Sequence, residues 1–285
     1  MAERKVLLIT HPNREETWQA AEELVSSLGT TIQFFSTAPR AMPGVVSVDP
    51  SALPPGIELA VVFGGDGTIL RAAEIVHGHG IPILGVNLGH VGFLAQLDRP
   101  SMGRLASLIQ DKTFTTEERL MVSYEIIRDQ KVAATGFALN EVVVESPKPE
   151  MVELFVHVDD RPLSLWGCDG VLIATPTGST AYAFSAGGPV LWPSVDAMVL
   201  LPLAAHALFS RPMVVATSST IGIDVESPAA VLAADGYRRI ELREGDRVRI
   251  FASKERIKLA HIDDSLFTDR LVAKFQLPVE GWRGK

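Results

Sequence analysis

The chain has 285 residues, of which 47% are hydrophobic and 21% charged, so it can bury the core of one large domain or of two modest ones. Its net charge of −8 argues against nucleic-acid binding, because nucleic-acid-binding proteins usually present a basic surface. A single cysteine, Cys168, excludes an internal disulfide framework and favours a reducing compartment. The apolar runs are too short for a signal-peptide core or a membrane span, so we expect a cytoplasmic protein with no membrane partner.

The first third of the sequence alternates strand-like apolar runs with helix-like amphipathic segments. The runs KVLLIT, TIQFFS, ELAVVF and IPILGVN predict buried parallel strands. The spacing of apolar residues predicts a helix that ends at Gly29, with Asn13 as a candidate cap, and a later helix capped by Ser101. Repeated βαβ units of this kind predict a Rossmann-like α/β domain with a parallel sheet, over residues 1–117.

After Thr113 the pattern changes to strand-like runs joined by short polar turns such as VDDRP and REGDR. This pattern predicts a predominantly β domain over residues 118–265. Within that domain, the stretches TGSTAYAFSAGG and AAHALF look helical. The final segment, residues 266–285, begins with a short amphipathic stretch that we expect to pack back on the first domain.

One loop in the first domain points to phosphate binding. In the stretch ELAVVFGGDGTILRAA, Gly64, Gly65 and Gly67 lie where a strand ends and a helix begins, although glycine destabilises both. A tight glycine turn before a helix forms an anion site, because the first N–H groups of the helix are unpaired and its dipole adds partial positive charge. The loop that ends at Thr68 matches neither the Walker A nor the G-x-G-x-x-G pattern.

Asp66 places a carboxylate inside this expected phosphate loop. A carboxylate beside phosphates is unfavourable unless it binds a metal or takes a proton from a nucleophile. The structural alternative is that Asp66 caps the helix. Two roles are open for Arg71, which lies one helical turn after Gly67. The first is to neutralise phosphate charge at the mouth of the loop, and the second is that of a solvated surface arginine.

The motif GGDGT is shared by NAD kinases, by lipid kinases of the diacylglycerol and sphingosine types and, in close variants, by phosphofructokinases. Further motifs resemble NAD kinase in the same order, and together they cover nearly the whole chain: GVNLGHVGFLA (85–95), NEVVV (140–144), DGVLIATPTGSTAYAFSAGGPVLWP (169–193) and AAHALFSRPMVV (204–215). The resemblance implies an enzyme that transfers the γ-phosphoryl group of ATP to the 2′-hydroxyl of the adenosine ribose of NAD, giving NADP. Mg²⁺ would offset the charge of the ATP, and no metal site formed by histidines is expected.

The resemblance also implies roles for individual residues. Asp66 would accept the proton of the 2′-hydroxyl, and Gly67 would offer its backbone beside the substrate. The loop of Phe93 would lie next to the dinucleotide, which leaves the ring either stacked on the adenine or in the core. The residues placed at the dinucleotide are Asn140, Glu141, Asp169, Thr180, Ala181, Tyr182 and Ser185.

Several of these roles have a purely structural alternative. Without the resemblance, Asn140 and Glu141 are a polar interruption of an apolar strand, which is more typical of an edge or a turn. The TPTG segment could be an ordinary strand-to-helix capping turn. The chain has Gly167 where many family members have a basic residue, and Asp235-Gly236-Tyr237 where many have a DGQ-like segment. Asp235 therefore also fits a simple hairpin turn.

Two other functions use parts of the same pattern. A lipid kinase would share the glycine loop, but it would need an apolar acyl pocket and leaves TPTGSTAYAFSAGGP unexplained. A non-catalytic NADP(H)-binding sensor would keep the fold, but it would not need a proton acceptor in the phosphate loop. Polyphosphate in place of ATP stays open, and the resemblance implies a homodimer or homotetramer built largely through the β domain.

Overall fold

A computed structural model describes residues 4–88, 92–95, 101–262 and 265–279 of the chain. Residues 89–91 of the GVNLGHVGFLA motif and residues 280–285 of the final segment lie outside the described residues. The chain divides into two compact units, the first comprising Met1–Glu118 and Ile257–Lys285 and the second Arg119–Arg256. None of the described helices has the length and apolar content needed to span a bilayer.

The first unit is built on a parallel sheet with the strand order β3-β2-β1-β4-β5, which confirms the predicted α/β domain. The three-residue β3 was missed because it is too short to show an apolar pattern. The elements are β1 (Arg4–Thr10), α1 (Glu15–Leu28), β2 (Ile32–Ser36), β3 (Val45–Ser47), β4 (Ile57–Phe63), α2 (Asp66–Val76), β5 (Ile83–Val86) and α3 (Met102–Asp111).

The helix ends follow the sequence signals in two of three cases. Ser101 caps α3 by accepting a hydrogen bond from the N–H of Arg104 at 3.3 Å, and α1 ends at Gly29, as predicted. Asn13 does not cap α1, because that helix starts one residue too late and Arg14 occupies the cap position without a side-chain hydrogen bond. The N–H of Asn13 instead donates to Nδ1 of His11 within the preceding turn.

The second unit is predominantly β, as predicted, and its strands pair antiparallel. The elements are β6 (Thr115–Arg128), β7 (Lys131–Ala138), β8 (Glu141–Glu145), β9 (Val152–Val158), β10 (Arg161–Cys168), β11 (Gly170–Ala174), a 3-10 helix (Gly178–Thr180), α4 (Tyr182–Ser185), β12 (Ala197–Leu203), β13 (Met213–Ala216), β14 (Thr220–Val225), β15 (Ala229–Ala234), β16 (Arg238–Arg243) and β17 (Arg247–His261). Strands β6 and β17 each cross the boundary between the two units.

Two helical expectations in this unit need correction. The stretch AAHALF is not a helix, because β12 runs to Leu203 and Ala204 then takes a left-handed φ of 46° that an α-helix does not allow. The stretch TGSTAYAFSAGG is not one continuous helix either. Ala181, with φ −105° and ψ −122°, separates the 3-10 helix from the single turn of α4.

A six-stranded sheet with the order β13-β12-β11-β8-β15-β16 carries the polar segment at Asn140 and Glu141. Its side chains alternate between two apolar clusters: Val142 and Val144 face the large core of the unit, whereas Val143 faces the opposite side. On that opposite side Ala183 of α4 packs in the same cluster as Val143. The packing therefore fixes α4 over the sheet.

The end of the chain returns to the first unit. Leu259 of β17 pairs with Ile83 of β5 in parallel, and α5 (Phe267–Phe275) follows. Arg270 of α5 is 2% exposed and donates hydrogen bonds to the carbonyl oxygens of Phe93 and Ala95, at 3.1 and 3.0 Å. The C-terminal helix thus holds the segment 92–95 in place.

Candidate active site

Asp66 is the first residue of α2, at the carboxyl end of β4. Its carboxylate accepts hydrogen bonds from the backbone N–H groups of Phe93 at 3.0 Å and Leu94 at 3.1 Å. The cap position belongs to Gly65, and the Asp66 side chain makes no capping bond to the helix. The capping alternative therefore does not describe this carboxylate, which instead joins α2 to the segment 92–95.

Gly92 is a residue of this site that the sequence analysis missed. A Cβ atom at this position would lie 2.2 Å from Oδ1 of Asp66, closer than any real contact, so only glycine lets the two segments meet. The signal was present in the motif GVNLGHVGFLA, where this glycine directly precedes Phe93.

The three glycines of the loop between β4 and α2 differ in what the fold demands of them. A Cβ on Gly64 would lie 2.4 Å from Oγ1 of Thr68, so packing requires that glycine. A Cβ on Gly65 or Gly67 would meet nothing within 4 Å, and neither residue has a positive φ. Neither packing nor backbone conformation explains these two glycines, and both leave bare backbone beside the Asp66 carboxylate.

The ring of Phe93 lies in the core, which is one of the two alternatives that the sequence left open. The side chain is 6% exposed, and its ring centroid lies 5.9 Å from that of Phe267 and 5.8 Å from that of Phe275, both in α5. The contact of Phe93 with the site is its backbone N–H on Asp66.

Arg71 is exposed and lies one turn further along α2. Together with Thr68 it lines a cavity of about 400 Å³ in the first unit, beside the β1–α1 turn. Arg71 forms no ion pair with any residue that the structure describes. The Arg71 side chain is therefore both exposed to solvent and part of the cavity lining.

In the second unit, Asn140 and Glu141 lie at a bend between strands of different sheets. Strand β7 ends at Ala138 and β8 begins at Glu141, so the interruption foreseen in the sequence is a real break. The carboxylate of Asp235 accepts the N–H groups of Leu139 at 3.1 Å and Asn140 at 2.6 Å. The N–H of Asp235 in turn donates to the carbonyl of Glu141 at 2.9 Å.

Asp235 is therefore more than a turn residue. It does form the hairpin turn between β15 and β16, with φ 49° followed by 77° at Gly236. Arg238 pairs with its carboxylate at 2.5 Å and lies 4.5 Å from the ring centroid of Phe137. The sequence analysis recognised the turn but not the carboxylate that anchors the Asn140–Glu141 bend.

The turn that follows β11 docks on the same bend. The N–H of Thr175 donates to the carbonyl of Asn140 at 2.9 Å, and its hydroxyl donates to the carbonyl of Leu139 at 2.6 Å. A Cβ on Gly178 would lie 2.0 Å from the carbonyl oxygen of Asn140, so this close approach requires glycine. The backbone N–H of Tyr182 lies near the carboxyl group of Glu141 and favours its charged form.

Burial dominates the electrostatics of this cluster. Burial, together with the charge of the nearby Asp235, raises the pKa of Glu141 to about 8, so the side chain holds a proton at neutral pH. Its Oε2 is buried and has no hydrogen-bond partner within the described residues. Burial also raises the pKa of Asp235, although the N–H groups of Asn140 and Leu139 and the charge of Arg238 oppose that rise.

The remaining predicted residues of the second unit differ in their exposure to solvent and in the contacts they make. Tyr182 is 44% exposed, and burial together with the charges of Glu145, Asp169 and Glu141 raises the pKa of its hydroxyl. Asp169 itself is exposed, directly before β11. The Thr180 hydroxyl donates to the carbonyl of Thr177 at 3.1 Å. Ala181 is half-buried and Ser185 is exposed.

The described residues include no group of three carboxylate, histidine or cysteine side chains placed to hold a metal ion. Two groups of predicted residues are each brought together within a unit. Asp66, Gly67 and the backbone of Phe93 form the first, and Asn140, Glu141 and Tyr182 form the second.

Comparison with known proteins identifies the family. Residues 48–114 match the ATP-NAD kinase N-terminal domain family, and residues 139–262 match the ATP-NAD kinase C-terminal domain family. A NAD kinase of Thermobifida fusca is 44% identical over 300 residues, which cover 99% of this chain and 92% of that protein.

Solved structures show the same fold. The crystal structure of yeast NADH kinase complexed with NADH has a TM-score of 0.88 at 22% identity, covering 99% of this chain and 90% of that chain. A NAD kinase of Archaeoglobus fulgidus in complex with ATP has a TM-score of 0.73 at 26% identity, covering 95% and 98% of the respective chains. With matches that span both units and nearly the full length, this chain belongs to the NAD kinase family.

Proposed function

We propose that the protein is an ATP-dependent NAD kinase, a phosphotransferase with an alcohol group as acceptor. It transfers the γ-phosphoryl group of ATP to the 2′-hydroxyl of the adenosine ribose of NAD, giving NADP and ADP. The observation that carries this proposal is the Asp66 carboxylate beside Gly65 and Gly67, whose missing side chains nothing in the fold accounts for. Relatives that match over the full chain carry the name NAD kinase, which supports the same reaction.

Asp66 acts as the proton acceptor in this proposal. The ribose oxygen attacks the γ-phosphorus, its proton passes to the carboxylate, and the bond between the γ-phosphorus and the bridging β-oxygen breaks. The two N–H groups from Phe93 and Leu94 orient the carboxylate, and each of its oxygens still has a second lone pair with which to accept a proton. An oriented base of this kind contributes about 10²- to 10⁴-fold to the rate.

The phosphates of ATP bind at the start of α2. The backbone of Gly65 and Gly67 admits them to the helix N-terminus, and Arg71 on the same helix neutralises charge. Mg²⁺ bound to the nucleotide as MgATP would supply positive charge that offsets the phosphates, and it would need few protein ligands because the phosphates supply the others.

The second unit supplies the dinucleotide contacts. The bend at Asn140 and Glu141 presents a buried carboxylic acid with one free oxygen, which suits recognition of a ribose hydroxyl. The exposed ring of Tyr182 is available to lie against a base. The other contacts in this proposal are Asp169, Thr180, Ala181 and Ser185.

Neither alternative function gains support. The full-length relatives are named NAD kinase, whereas a lipid kinase would share only the glycine loop. A non-catalytic sensor would have no use for an oriented carboxylate at Asp66.

Assembly and location complete the proposal. We infer a cytoplasmic protein. We also infer that it forms a homodimer or homotetramer, because the second unit exposes large apolar side chains that an interface between copies would bury. These are Leu163, Leu165, Trp192, Val195, Leu208 and Phe209. Light scattering on the purified protein tests the assembly, and a monomeric mass would contradict it.

One assay tests the activity. Purified protein is incubated with ATP, Mg²⁺ and NAD, and an NADP-specific dehydrogenase reports the product. We expect NADP to form when ATP and Mg²⁺ are both present, and not when Mg²⁺ is omitted. Parallel reactions with polyphosphate as donor and with NADH as acceptor define the substrates. An absence of NADP in every reaction, together with phosphorylation of diacylglycerol or sphingosine, would replace this proposal with the lipid-kinase alternative.

A further inference from the structure

We infer that Arg270, on the C-terminal helix α5, is a positioning residue for the proposed base Asp66, and that His261 and Glu117 hold its guanidinium in place. We call these three side chains, Arg270, His261 and Glu117, the Arg270 chain. In this role the chain contacts none of the reacting atoms and acts on Asp66 through the backbone of the segment 92–95. The inference rests on the proposed function, since it names residues that fix the geometry of the base in that reaction.

A single peptide unit joins Arg270 to Asp66. Nη1 of Arg270 donates a hydrogen bond to the carbonyl oxygen of Phe93 at 3.1 Å, and the N–H of Leu94 donates to Oδ1 of Asp66, also at 3.1 Å. That carbonyl and that N–H belong to the same peptide unit, which is planar and rigid. A tilt of the peptide away from Arg270 therefore turns the N–H away from the carboxylate. The positive guanidinium also polarises the peptide, which strengthens the hydrogen bond to Asp66.

The guanidinium holds the segment at a second point and is itself buried. The same Nη1 donates to the carbonyl oxygen of Ala95 at 3.0 Å. All four residues of the segment 92–95 are buried, and Arg270 is 2% exposed. Arginine is rarely buried so fully, because removing its charge from water is costly, and an apolar side chain of similar volume often packs as stably. Stability alone therefore does not account for an arginine at this place.

His261 orients the guanidinium from a third direction. Nη2 of Arg270 lies 2.9 Å from Nδ1 of His261, and because arginine has only donors, Nδ1 is the acceptor. The imidazole proton is then on Nε2, which donates to Oε2 of Glu117 at 3.2 Å. His261 ends β17 and Glu117 lies in β6, and these two strands pair with each other. The sheet therefore fixes the third contact of the guanidinium.

Apolar contacts hold α5 against the same segment independently of Arg270. The ring of Phe93 contacts those of Phe267 and Phe275, at opposite ends of α5, with centroid distances of 5.9 and 5.8 Å. A variant at Arg270 should therefore keep α5 docked and lose only the polar contacts. This makes the positioning role separable from the packing of the helix.

The first test compares kcat with KM, since positioning of the base affects turnover and not substrate binding. Arg270→Met keeps an unbranched side chain but removes the donors, so we expect kcat to fall about 10- to 100-fold and the KM for ATP and for NAD to stay within about twofold. Both constants are referred to the folded fraction measured by urea unfolding.

Arg4→Met is the matched control. Arg4 also donates to two carbonyl oxygens, of Gln110 at 2.8 Å and Ile109 at 2.7 Å, and it pairs with Glu58, but these contacts hold the end of α3. This variant should also lower the free energy of unfolding, yet keep the kcat of the wild type per folded molecule. An equal fall of kcat in the two variants would show that Arg270 acts on stability only.

A conservative substitution at His261 separates its acceptor from its bulk. His261→Leu removes the acceptor and should lower kcat about three- to tenfold, whereas His261→Asn places an amide oxygen near the position of Nδ1 and should recover most of that loss. Equal kcat values in these two variants would remove His261 from the Arg270 chain.

Hydrogen exchange at the amides of Phe93 and Leu94, followed by NMR, measures the same contacts without turnover. We expect Arg270→Met to speed this exchange at least about tenfold and Arg4→Met to leave it unchanged. If NADP forms and Arg270→Met keeps the kcat of the wild type, the inference is wrong and the proposed reaction stands. If the wild type forms no NADP but the exchange still depends on Arg270, the positioning of Asp66 stands and the proposed reaction fails.

Discussion

The carboxylate of Asp66 packs against the bare backbone of Gly92, where an added Cβ atom would lie only 2.2 Å from Oδ1. The contact aligns the N–H groups of Phe93 and Leu94 with the carboxylate, and Arg270 holds the same segment from its carbonyl side. The orientation of Asp66 is therefore set by residues distant in sequence as well as by its own helix.

This relationship predicts the effect of Gly92→Ala. The added methyl group displaces either the carboxylate or the segment 92–95, and a misplacement of about 1 Å costs roughly 10²-fold in turnover. We also expect a loss of about 1 to 3 kcal/mol in the free energy of unfolding from overpacking. Steady-state kinetics and urea unfolding measure the two effects.

The control is Gly103→Ala, because a Cβ on that residue of α3 meets nothing within 4 Å. Alanine is the better helix former, so this variant should keep wild-type activity and gain up to about 1 kcal/mol of stability. Wild-type turnover in Gly92→Ala would show that the contact does not position the base.

The raised pKa of Glu141 predicts how stability depends on pH. Between about 4.5, the ordinary value, and about 8, the folded protein keeps a proton on Glu141 that the unfolded chain releases. The free energy of unfolding contributed by this group therefore falls as pH rises through that window. Glu141→Gln stays neutral throughout, so its stability relative to the wild type should increase between pH 5 and pH 8, by roughly 1 to 4 kcal/mol.

Urea unfolding at pH 5, 6.5 and 8 measures this difference for Glu141→Gln, and Glu244→Gln, a change of an exposed glutamate, is the control. The free energy of unfolding of the control should change with pH as that of the wild type does. If the free energy of unfolding of Glu141→Gln also changes with pH as that of the wild type does, Glu141 titrates normally in the folded protein.

Asp235→Asn should weaken the proposed dinucleotide site without changing a group that contacts the reacting atoms. The amide keeps one acceptor oxygen but turns an NH₂ group toward a backbone N–H, and it loses the ion pair with Arg238. We expect a cost of about 2 to 4 kcal/mol in the free energy of unfolding. The KM for NAD should rise roughly tenfold, with a smaller change in kcat, because the Asn140–Glu141 bend loses its anchor.

Asp159→Asn is the matched control for this variant. Asp159 also has a positive φ in a hairpin turn, and its carboxylate accepts from the Ser219 hydroxyl and the Thr220 N–H on the surface. It should cost less than about 1 kcal/mol and leave the KM for NAD unchanged. If Asp235→Asn lowers stability but also leaves that KM unchanged, Asp235 is structural only.

The fold was predictable where a single local pattern decides the structure. The apolar runs of β1, β2, β4 and β5 predicted buried parallel strands, and the short polar turns of the second unit predicted a predominantly β domain. The errors lie where neighbours decide: AAHALF has a helical composition, but the left-handed residue Ala204 ends any helix there. The starting residue of α1, which determines the cap, likewise depends on the turn at His11.

The candidate site was predictable in its chemistry but not in its contacts. Three glycines around a carboxylate identified the loop at Asp66, since those residue types are costly without a ligand. The bonds from Asp235 to Leu139 and Asn140 join residues 96 and 95 positions apart, which no local pattern encodes. The same holds for Phe93, whose ring was assigned to the core only by its contacts with α5.

The most direct measurement is the kcat of Asp66→Asn with saturating MgATP and NAD, alongside the Kd for NAD and the circular dichroism of the same preparation. Asparagine keeps the size of the side chain but cannot take up the ribose proton. We predict a fall in kcat of about 10²- to 10⁴-fold, with the fold and NAD binding retained. A kcat close to that of the wild type would show that another group removes the proton, and would contradict the mechanism proposed for this protein.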